Sequence, residues 1–322
     1  PWDYIPEHTI IAEPPDKPQL KPYQGAEELT RHSLDILTQV DPELGRYFGI
    51  MAEEKLLDLD TRPGKALGGY CSTLALRKRP FIFMNGVGTH DDVQTLLHEA
   101  GHAFHVFETA GLPLVWQTDP PLEFCEVASM SMELLAAPYL SKDQGGFYTP
   151  VEIAQARIEH LEGIILFLPY MAVVDAFQHW VYTHPDEAAE PANCDATYQA
   201  LCQRFLPGLD WSGHTETRFL GETQFLEEVI KTGWQRKGHI FDSPFYYIEY
   251  GLAQVGALQV WRNALKDQAA AVAAYRRALA AGCTGTLPEL FALAGAEFRF
   301  DATLLGELVE LVEATLDKLR LV

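Results

Sequence analysis

The chain has 322 residues, which is enough to bury a substantial core in one large domain or in two. It carries 45 acidic and 24 basic residues and a net charge of -21, which argues against a nucleic-acid partner because phosphates require a basic surface. The five cysteines show neither the paired spacing of a zinc site nor a disulfide framework, so we expect a reducing, cytoplasmic location.

The N-terminal quarter of the chain is expected to form two helices and one small hairpin. Leucines recur at helical spacing over residues 26–40, and Asp41 can cap a second helix over residues 42–54. Residues 68–76 and 80–84 are short β-prone runs that predict a small antiparallel hairpin. No other strands are expected in the chain.

Residues 93–107 form the most informative helix, because their apolar pattern surrounds the motif His98-Glu99-x-x-His102. Side chains four residues apart lie on one face of a helix, so both imidazoles can reach a single ion. The side chain of Glu99 is directed towards the same ion site, where it can act as a general base. This combination is typical of a zinc site with its catalytic carboxylate. His105 lies near the same face and is a candidate for substrate contact, with a partly buried structural histidine as the alternative.

A catalytic zinc takes three protein ligands and keeps a fourth position for water, so a third ligand is required. Residues 121–133 predict a second helix, opened by prolines, and its Glu126 is our candidate. Two histidines with one glutamate are a known ligand set for peptide hydrolysis. Glu123 and Glu133 remain alternatives on chemistry alone. Ser129, one turn beyond Glu126, can orient that ligand or bond to its own backbone.

The rest of the chain has helical patterns throughout. A long apolar helix is expected over residues 151–182, and its longest apolar run, residues 163–174, is too short to cross a membrane and contains a proline. We therefore expect this helix to be buried, and we expect no membrane partner. Further helices are expected over residues 194–205, 222–234, 244–265, 269–281, 287–294 and 302–319.

A group of ring side chains near the middle of the C-terminal half is the second candidate for chemistry. As a scissile carbonyl becomes tetrahedral its oxygen gains charge, so hydrogen-bond donors aimed at that oxygen lower the barrier. The candidates are His239, Tyr246, Tyr247 and Tyr250, of which Tyr247 is best suited to the core. For Tyr247 the expected role is contact with substrate. Taken alone, such an aromatic cluster favours packing over catalysis.

Three blocks of the sequence resemble the catalytic core of the oligoendopeptidase F and thimet oligopeptidase family. They are residues 62–86, the His-Glu-x-x-His helix with its flanks, and residues 239–250, the last in the oligoendopeptidase F style. The matching blocks run from about Pro1-Trp2-Asp3 to about Ala253.

This resemblance implies roles for particular residues. Glu126, which is followed by Val-Ala-Ser, matches the family's third zinc ligand. The resemblance implies that Gly68 and Gly69 let a substrate backbone approach the hairpin edge for strand-type pairing, with a tight bend before the strand as the alternative. The residues that the resemblance marks as contacts to substrate or to the oxyanion are His239, Tyr246 and Tyr250.

We therefore expect residues 1–322 to form a mainly α-helical zinc-metallopeptidase catalytic domain, with a small antiparallel β-sheet next to the zinc helix. The expected reaction is hydrolysis of short peptides with one Zn2+ per chain, in which Glu99 takes a proton from the water that attacks the scissile carbonyl. The chain begins without an initiator methionine, at the point where the resemblance starts. We expect the C-terminal part of a longer protein, whose N-terminal part packs on this domain.

Two alternatives to an oligoendopeptidase remain. A dipeptidyl carboxypeptidase of the same family is disfavoured, because no residue identifies a clamp for the C-terminal carboxylate of a substrate. A peptide-binding module that kept the fold and lost turnover is disfavoured, because every catalytic element is present.

Overall fold

A computed structural model describes residues 19–207, 216–219, 222–225 and 230–321. The first segment of the family resemblance, Pro1-Trp2-Asp3, lies outside these residues. The principal helices of the described residues are, in chain order, α1 (Gly25–Val40), α2 (Pro42–Glu53), α3 (His90–Thr109), α4 (Leu122–Ala136), α5 (Pro150–Thr183), α6 (Pro185–Ala188), α7 (Pro191–Phe205), α8 (His239–Asp242), α9 (Tyr247–Ala264), α10 (Gln268–Ala281), α11 (Leu287–Leu293) and α12 (Ala302–Leu319). The strands of the described residues are β1 (Leu57–Asp60), β2 (Tyr70–Leu74), β3 (Arg79–Gly86), β4 (Glu216–Phe219) and β5 (Glu222–Phe225).

All but one of the predicted helices lie within three residues of an observed helix at both ends. Apolar periodicity locates these segments well, because each helix buries one stripe of its surface. The exception is the helix predicted over residues 222–234, which is wrong at its start. Residues 222–225 form β5, which pairs antiparallel with β4, and Gly233–Arg236 is a 3-10 helix. Both strands contain threonine and phenylalanine, which favour strands, and their mutual pairing is not visible in a local apolar pattern.

The chain divides into two compact units. We call residues 19–161 together with 252–321 the sheet unit, because it contains β1, β2 and β3. Residues 162–251 belong to the hairpin unit, which contains β4 and β5. The boundaries between the units fall within helices α5 and α9.

The sheet has the strand order β1-β3-β2. The predicted hairpin is confirmed, because β2 pairs antiparallel with β3 from Tyr70 opposite Phe83 to Leu74 opposite Arg79. The expectation of no further strands is wrong, since β1 pairs parallel with β3 and makes the sheet mixed. β1 has only four residues, too few for an alternating pattern to stand out in the sequence. β2 is an edge strand of this sheet.

Helix α3 lies in the core of the sheet unit, where it contacts both β3 and α4. Its apolar stripe is fully buried and consists of Val93, Leu96, Leu97, Ala100, Ala103 and Phe104. Each large apolar side chain buried in this way contributes about 1.5–3 kcal/mol of hydrophobic stabilisation. The polar face of the same helix carries the His-Glu-x-x-His motif, so core packing fixes the orientation of that motif.

Asp92 fixes the start of α3. Its Oδ2 accepts hydrogen bonds from the backbone N–H groups of Val87, Gly88 and Thr89 at 2.8–2.9 Å. The same oxygen accepts the hydroxyl proton of Tyr23 at 2.7 Å. The bond from Thr89 is part of a capping box at the helix start, and the other bonds hold the preceding loop and Tyr23 against it.

The hairpin unit has its own apolar clusters along α5. One consists of Val173, Phe177, Cys194, Tyr198, Cys202 and Ile230, and a second of Tyr170, Met171, Val174 and Tyr247. By length and composition alone α5 could cross a membrane, and 39% of its most apolar 18-residue window is buried. This is weak evidence, because core helices of soluble proteins meet the same criteria.

Candidate metal centre

The two histidines of the motif and one glutamate meet in the sheet unit. His98 and His102 lie on α3, and Glu126 lies on α4. Glu126 Oε2 is 3.2 Å from His98 Nε2 and 3.5 Å from His102 Nε2. One ligand atom from each residue lies within 4.8 Å of the other two. The structure thus brings together the three residues that were predicted as metal ligands.

The spacing of these atoms fits a zinc ion. Zinc–nitrogen and zinc–oxygen bonds of about 2.0–2.2 Å at tetrahedral angles place neighbouring ligand atoms about 3.3–3.5 Å apart. The two separations in the structure, 3.2 Å and 3.5 Å, are close to this value. Two imidazole nitrogens with one carboxylate oxygen also suit zinc better than magnesium or calcium, which prefer oxygen ligands.

A glycine allows α3 and α4 to approach closely beside this group. A Cβ atom at Gly101 would lie 2.5 Å from Ser129 Cα and 2.6 Å from the carbonyl oxygen of Ala128. Both atoms belong to the backbone of α4, which cannot move aside as a flexible side chain can. Gly101 stands between the two histidine ligands, so this helix contact helps to set the distance from α3 to Glu126.

Gly101→Ala is expected to lower the free energy of unfolding by about 1–3 kcal/mol, because the added methyl group overpacks the helix contact. Urea unfolding would measure the change. Gly306→Ala on α12 is the matched control, since a Cβ atom there meets nothing within 4 Å. The control is expected to be neutral or to gain roughly 0.5–1 kcal/mol, because alanine favours helices. Equal stabilities for the two variants would show that the contact at Gly101 is not tight.

Ser129 restrains the third candidate ligand. Its Oγ lies 3.0 Å from Glu126 Oε2 and 3.1 Å from the carbonyl oxygen of Glu126. The single hydroxyl proton can be donated to either oxygen, so both roles considered for Ser129 are compatible with its position. A bond to Oε2 limits rotation of the Glu126 carboxylate.

The two alternative glutamates do not replace Glu126 in the ligand group. Glu123 is not a member of that group. Glu133 Oε1 accepts a hydrogen bond at 2.7 Å from His98 Nδ1, the ring nitrogen on the far side from Glu126. Glu133 Oε2 lies 2.9 Å from Nε2 of His160. His160 was assigned no role from the sequence, because no motif spacing connects α5 with α4.

In two carboxylates of the site, Glu126 and Glu133, interactions with nearby histidines lower the pKa by more than burial raises it. Burial alone would raise the pKa of Glu126, but His102 and His98 hold it well below its usual range. Burial also opposes the charged form of Glu133, yet hydrogen bonds with His160 and His98 lower its pKa to about 2. Both carboxylates are therefore ionised at neutral pH, which is the form in which a carboxylate can bind a metal ion.

Glu99 has a different environment from these two glutamates. Its side chain is only 7% exposed, and burial raises its pKa against the opposing effect of His98 and His102. Its Oε2 has no hydrogen-bond partner among the residues that the structure describes. A buried carboxylate oxygen without a partner, on the same helix as two candidate ligands, is suited to accept a proton from a reacting water.

The two predicted substrate-contact glycines precede the exposed edge strand β2. Gly68 has a φ of +99°, in the region that favours glycine, and Asn85 Nδ2 donates to its carbonyl oxygen at 2.9 Å. A Cβ atom at Gly69 would lie 3.3 Å from Thr95 Cγ2 on α3. β2 also contacts α3, the helix that carries the general-base candidate, and burial and the charge of Glu99 both raise the pKa of Cys71 on β2.

His105 lies on the buried side of α3. Its side chain is 3% exposed, and its ring packs edge-to-face on Phe124 with centroids 5.9 Å apart. Burial, with a smaller effect of His102, lowers the pKa of His105 to about 3, so the ring is neutral. This environment matches the structural alternative considered for His105, and substrate contact by this residue stays a prediction.

The predicted oxyanion group lies together in the hairpin unit. Tyr250 Oη is 3.4 Å from His239 Nε2, and the rings of Tyr246 and Tyr250 have centroids 5.2 Å apart. These three side chains are partly buried. Tyr247 is 4% exposed, and its hydroxyl accepts a hydrogen bond from Lys237 Nζ at 3.2 Å. Tyr247 therefore belongs to the core, as its position in the sequence suggested, and its expected contact with substrate stays a prediction.

This fold and site correspond to one class of peptidases. In that class a helix carries the His-Glu-x-x-His motif, and a following helix carries the third ligand. The chain matches the model of peptidase family M3 over residues 47–310, and it belongs to that family. Oligoendopeptidase F, chromosomal, of Lactococcus lactis subsp. cremoris is 25% identical over 199 residues, which are 62% of this chain and 30% of that protein. Oligopeptidase PepF of Bacillus subtilis (strain 168) is 24% identical over 230 residues, which are 71% of this chain and 32% of that protein.

Solved structures share the fold as well. PZ peptidase A, solved with an inhibitor, matches with a TM-score of 0.81 and 32% identity over 93% of this chain and 50% of that one. A crystal structure named for an oligoendopeptidase F matches with a TM-score of 0.81 and 35% identity over the same shares of the two chains. The mainly helical fold and the family resemblance are thereby confirmed. The chain spans about half the length of these solved relatives.

Proposed function

We propose that the protein is a zinc-dependent oligoendopeptidase that hydrolyses short peptides. The observation that carries the proposal is the grouping of His98, His102 and Glu126 on the helices that also carry a buried Glu99 with an unpartnered oxygen. Membership of a peptidase family and relatives named oligoendopeptidase F support it. All five cysteines are free thiols, which supports the further proposal of a cytoplasmic location.

The side chains of the site have two separate roles in peptide hydrolysis, metal binding and proton transfer. His98, His102 and Glu126 would hold the zinc ion, which when bound supplies a positive charge that polarises the scissile carbonyl. Glu99 takes a proton from the attacking water and later gives it to the leaving amine. Its buried position and raised pKa suit a carboxylate that must hold that proton between the two steps.

The exposed edge of β2 is the proposed place for the peptide substrate. An edge strand presents unpaired backbone N–H and C=O groups, and an extended peptide can pair with them whatever its side chains are. The turn at Gly68 and Gly69 opens the start of this edge, because neither residue carries a side chain. Strand pairing of this kind fits hydrolysis of short peptides with varied sequences.

Tyr250→Phe is expected to lower kcat by about 10²-fold with little change in KM, because the phenol would donate to the carbonyl oxygen only as charge develops on it. Steady-state kinetics on a quenched fluorescent peptide would measure both constants. Tyr246→Phe is the comparison, since Tyr246 lies beside Tyr250 in the same cluster. If kcat is unchanged in the Tyr250 variant and reduced in the Tyr246 variant, Tyr246 supplies the catalytic phenol and Tyr250 is structural.

Zinc content and peptide cleavage, measured on the same sample, test the proposed function. The protein is expected to contain about one zinc per chain, to lose cleavage on chelation and to regain it when zinc is added. A non-catalytic peptide-binding module would bind peptide without cleaving it. A C-terminally amidated peptide separates the remaining alternative, because an endopeptidase cleaves it and a dipeptidyl carboxypeptidase, which needs a free carboxylate, does not. Mass spectrometry of the products would identify the bond that is cut.

A further inference from the structure

One carboxylate connects three helices of the sheet unit. Glu133 on α4 accepts a hydrogen bond at 2.7 Å from Nδ1 of His98 on α3, and its other oxygen lies 2.9 Å from Nε2 of His160 on α5. The exposed fractions of the three side chains are 23% for His98, 14% for Glu133 and 12% for His160. Both oxygens of Glu133 are therefore engaged by histidines rather than by bulk water.

The contact with Glu133 determines which nitrogen of His98 is available to a metal. A neutral imidazole carries one proton, and only the nitrogen without it has a lone pair to donate. Glu133 Oε1 lies 2.7 Å from Nδ1 and accepts the proton on that nitrogen, so Nε2 is the free nitrogen. Nε2 is also the atom that faces Glu126 at 3.2 Å. A carboxylate in this position additionally increases the basicity of a ligating imidazole.

We propose that His160 is a positioning residue for the metal centre, acting through Glu133 on His98. The proposal rests on the zinc-dependent function proposed above. The terminal torsion of a glutamate has a broad energy minimum, so a carboxylate held at one oxygen still rotates. His160 holds the second oxygen of Glu133, which keeps the first directed at His98 Nδ1. A residue on α5 that lies outside the candidate ligand group thus helps to retain the metal.

Two substitutions of His160 form a matched test. A glutamine amide nitrogen reaches about as far from the backbone as histidine Nε2, so His160→Gln keeps a donor for Glu133. His160→Asn is one methylene shorter and leaves that oxygen without its partner. Each variant is loaded with zinc, and the rate of zinc release into an excess of a chromogenic chelator is measured. The Asn variant is expected to release zinc about 10-fold faster than wild type, and the Gln variant within about 3-fold of it, since outer partners of metal ligands typically contribute 10–100-fold in affinity.

Two further variants control this comparison. His179 also lies on α5, but its side chain is 66% exposed, so His179→Asn is expected to release zinc at the wild-type rate. Glu133→Gln must direct its amide nitrogen at one of two histidine donors, and it is expected to release zinc at least as fast as His160→Asn. Circular dichroism at the assay temperature establishes that each variant is folded. If His160→Asn does not fold, the Glu133→Gln and His160→Gln variants still test the connection.

The outcomes separate this inference from the proposed function. Equal release rates for wild type, His160→Asn and Glu133→Gln would overturn the inference, and so would a Gln variant that releases zinc as fast as the Asn variant. A wild-type protein that holds zinc but cleaves no peptide would contradict the proposed function, while slower release from wild type than from His160→Asn would still support the positioning role. A wild-type protein that binds no zinc would overturn both.

Discussion

Glu99→Gln is expected to keep about one zinc per chain and to lose peptide cleavage, with kcat lower by on the order of 10⁴-fold. The amide that replaces the carboxylate has nearly the same shape, so the apolar packing of α3 is preserved. His98, His102 and Glu126 remain unchanged, and metal binding therefore does not depend on the substituted group. An amide oxygen, however, cannot take up a proton from water at neutral pH.

The structural reason for so large an effect is the isolation of Glu99. Its side chain is 7% exposed, and its Oε2 lacks a hydrogen-bond partner within the described part of the chain. The other two glutamates of the site already have partners. Glu126 belongs to the ligand group, and Glu133 contacts His98 and His160. No neighbouring carboxylate in this group is therefore available to take over the proton.

Glu123→Gln is the matched control for this prediction. Glu123 lies on α4, is only partly buried and does not belong to the ligand group, so the same chemical change there is expected to leave kcat unaltered. Zinc content is measured together with activity in both variants. Substantial cleavage by a zinc-replete Glu99→Gln protein would contradict the role of Glu99 as the base.

The metal ligands could be located from the sequence because their positions are local. His98, Glu99 and His102 lie within one turn and a quarter of a helix, so helical periodicity alone sets their relative directions. Glu126 lies on the next helix, and among three nearby glutamates the chemistry did not discriminate. The resemblance to a known family singled it out, and the structure places its Oε2 within 3.5 Å of both histidine nitrogens.

The features that the sequence did not reveal all depend on contacts between distant segments. β1 is a strand because β3 supplies its hydrogen-bond partners, and β5 is a strand because β4 does. A four-residue segment has too little periodicity to indicate either pairing in advance. His160 is a similar case, because its contact with Glu133 exists only after α4 and α5 have packed together.

Glu126→Ala is expected to weaken zinc binding by at least about 100-fold, more than the loss of an outer partner of a ligand. Glu126 supplies one of three ligand atoms and the anionic one, while the remaining two are neutral imidazole nitrogens. The charges of His102 and His98 hold the pKa of Glu126 well below its usual range against the effect of burial, and a bound zinc ion would supply that positive charge in their place, so the Glu126 carboxylate stays ionised at neutral pH. Removing it also leaves a space of several atoms beside the two histidines.

Competition with a chelator of known affinity would measure this loss, with Glu123→Ala as the control on the same helix. The control is expected to bind zinc as wild type does, because Glu123 is not in the ligand group. Glu133→Gln is expected to fall between the two, since it disturbs His98 but leaves all three ligand atoms in place. If the Glu126→Ala protein still holds one zinc per chain when diluted against a mild chelator, the third ligand is Glu123 or Glu133. In that case α4 must rotate on metal binding, because Glu133 engages His98 through the nitrogen that faces away from Glu126.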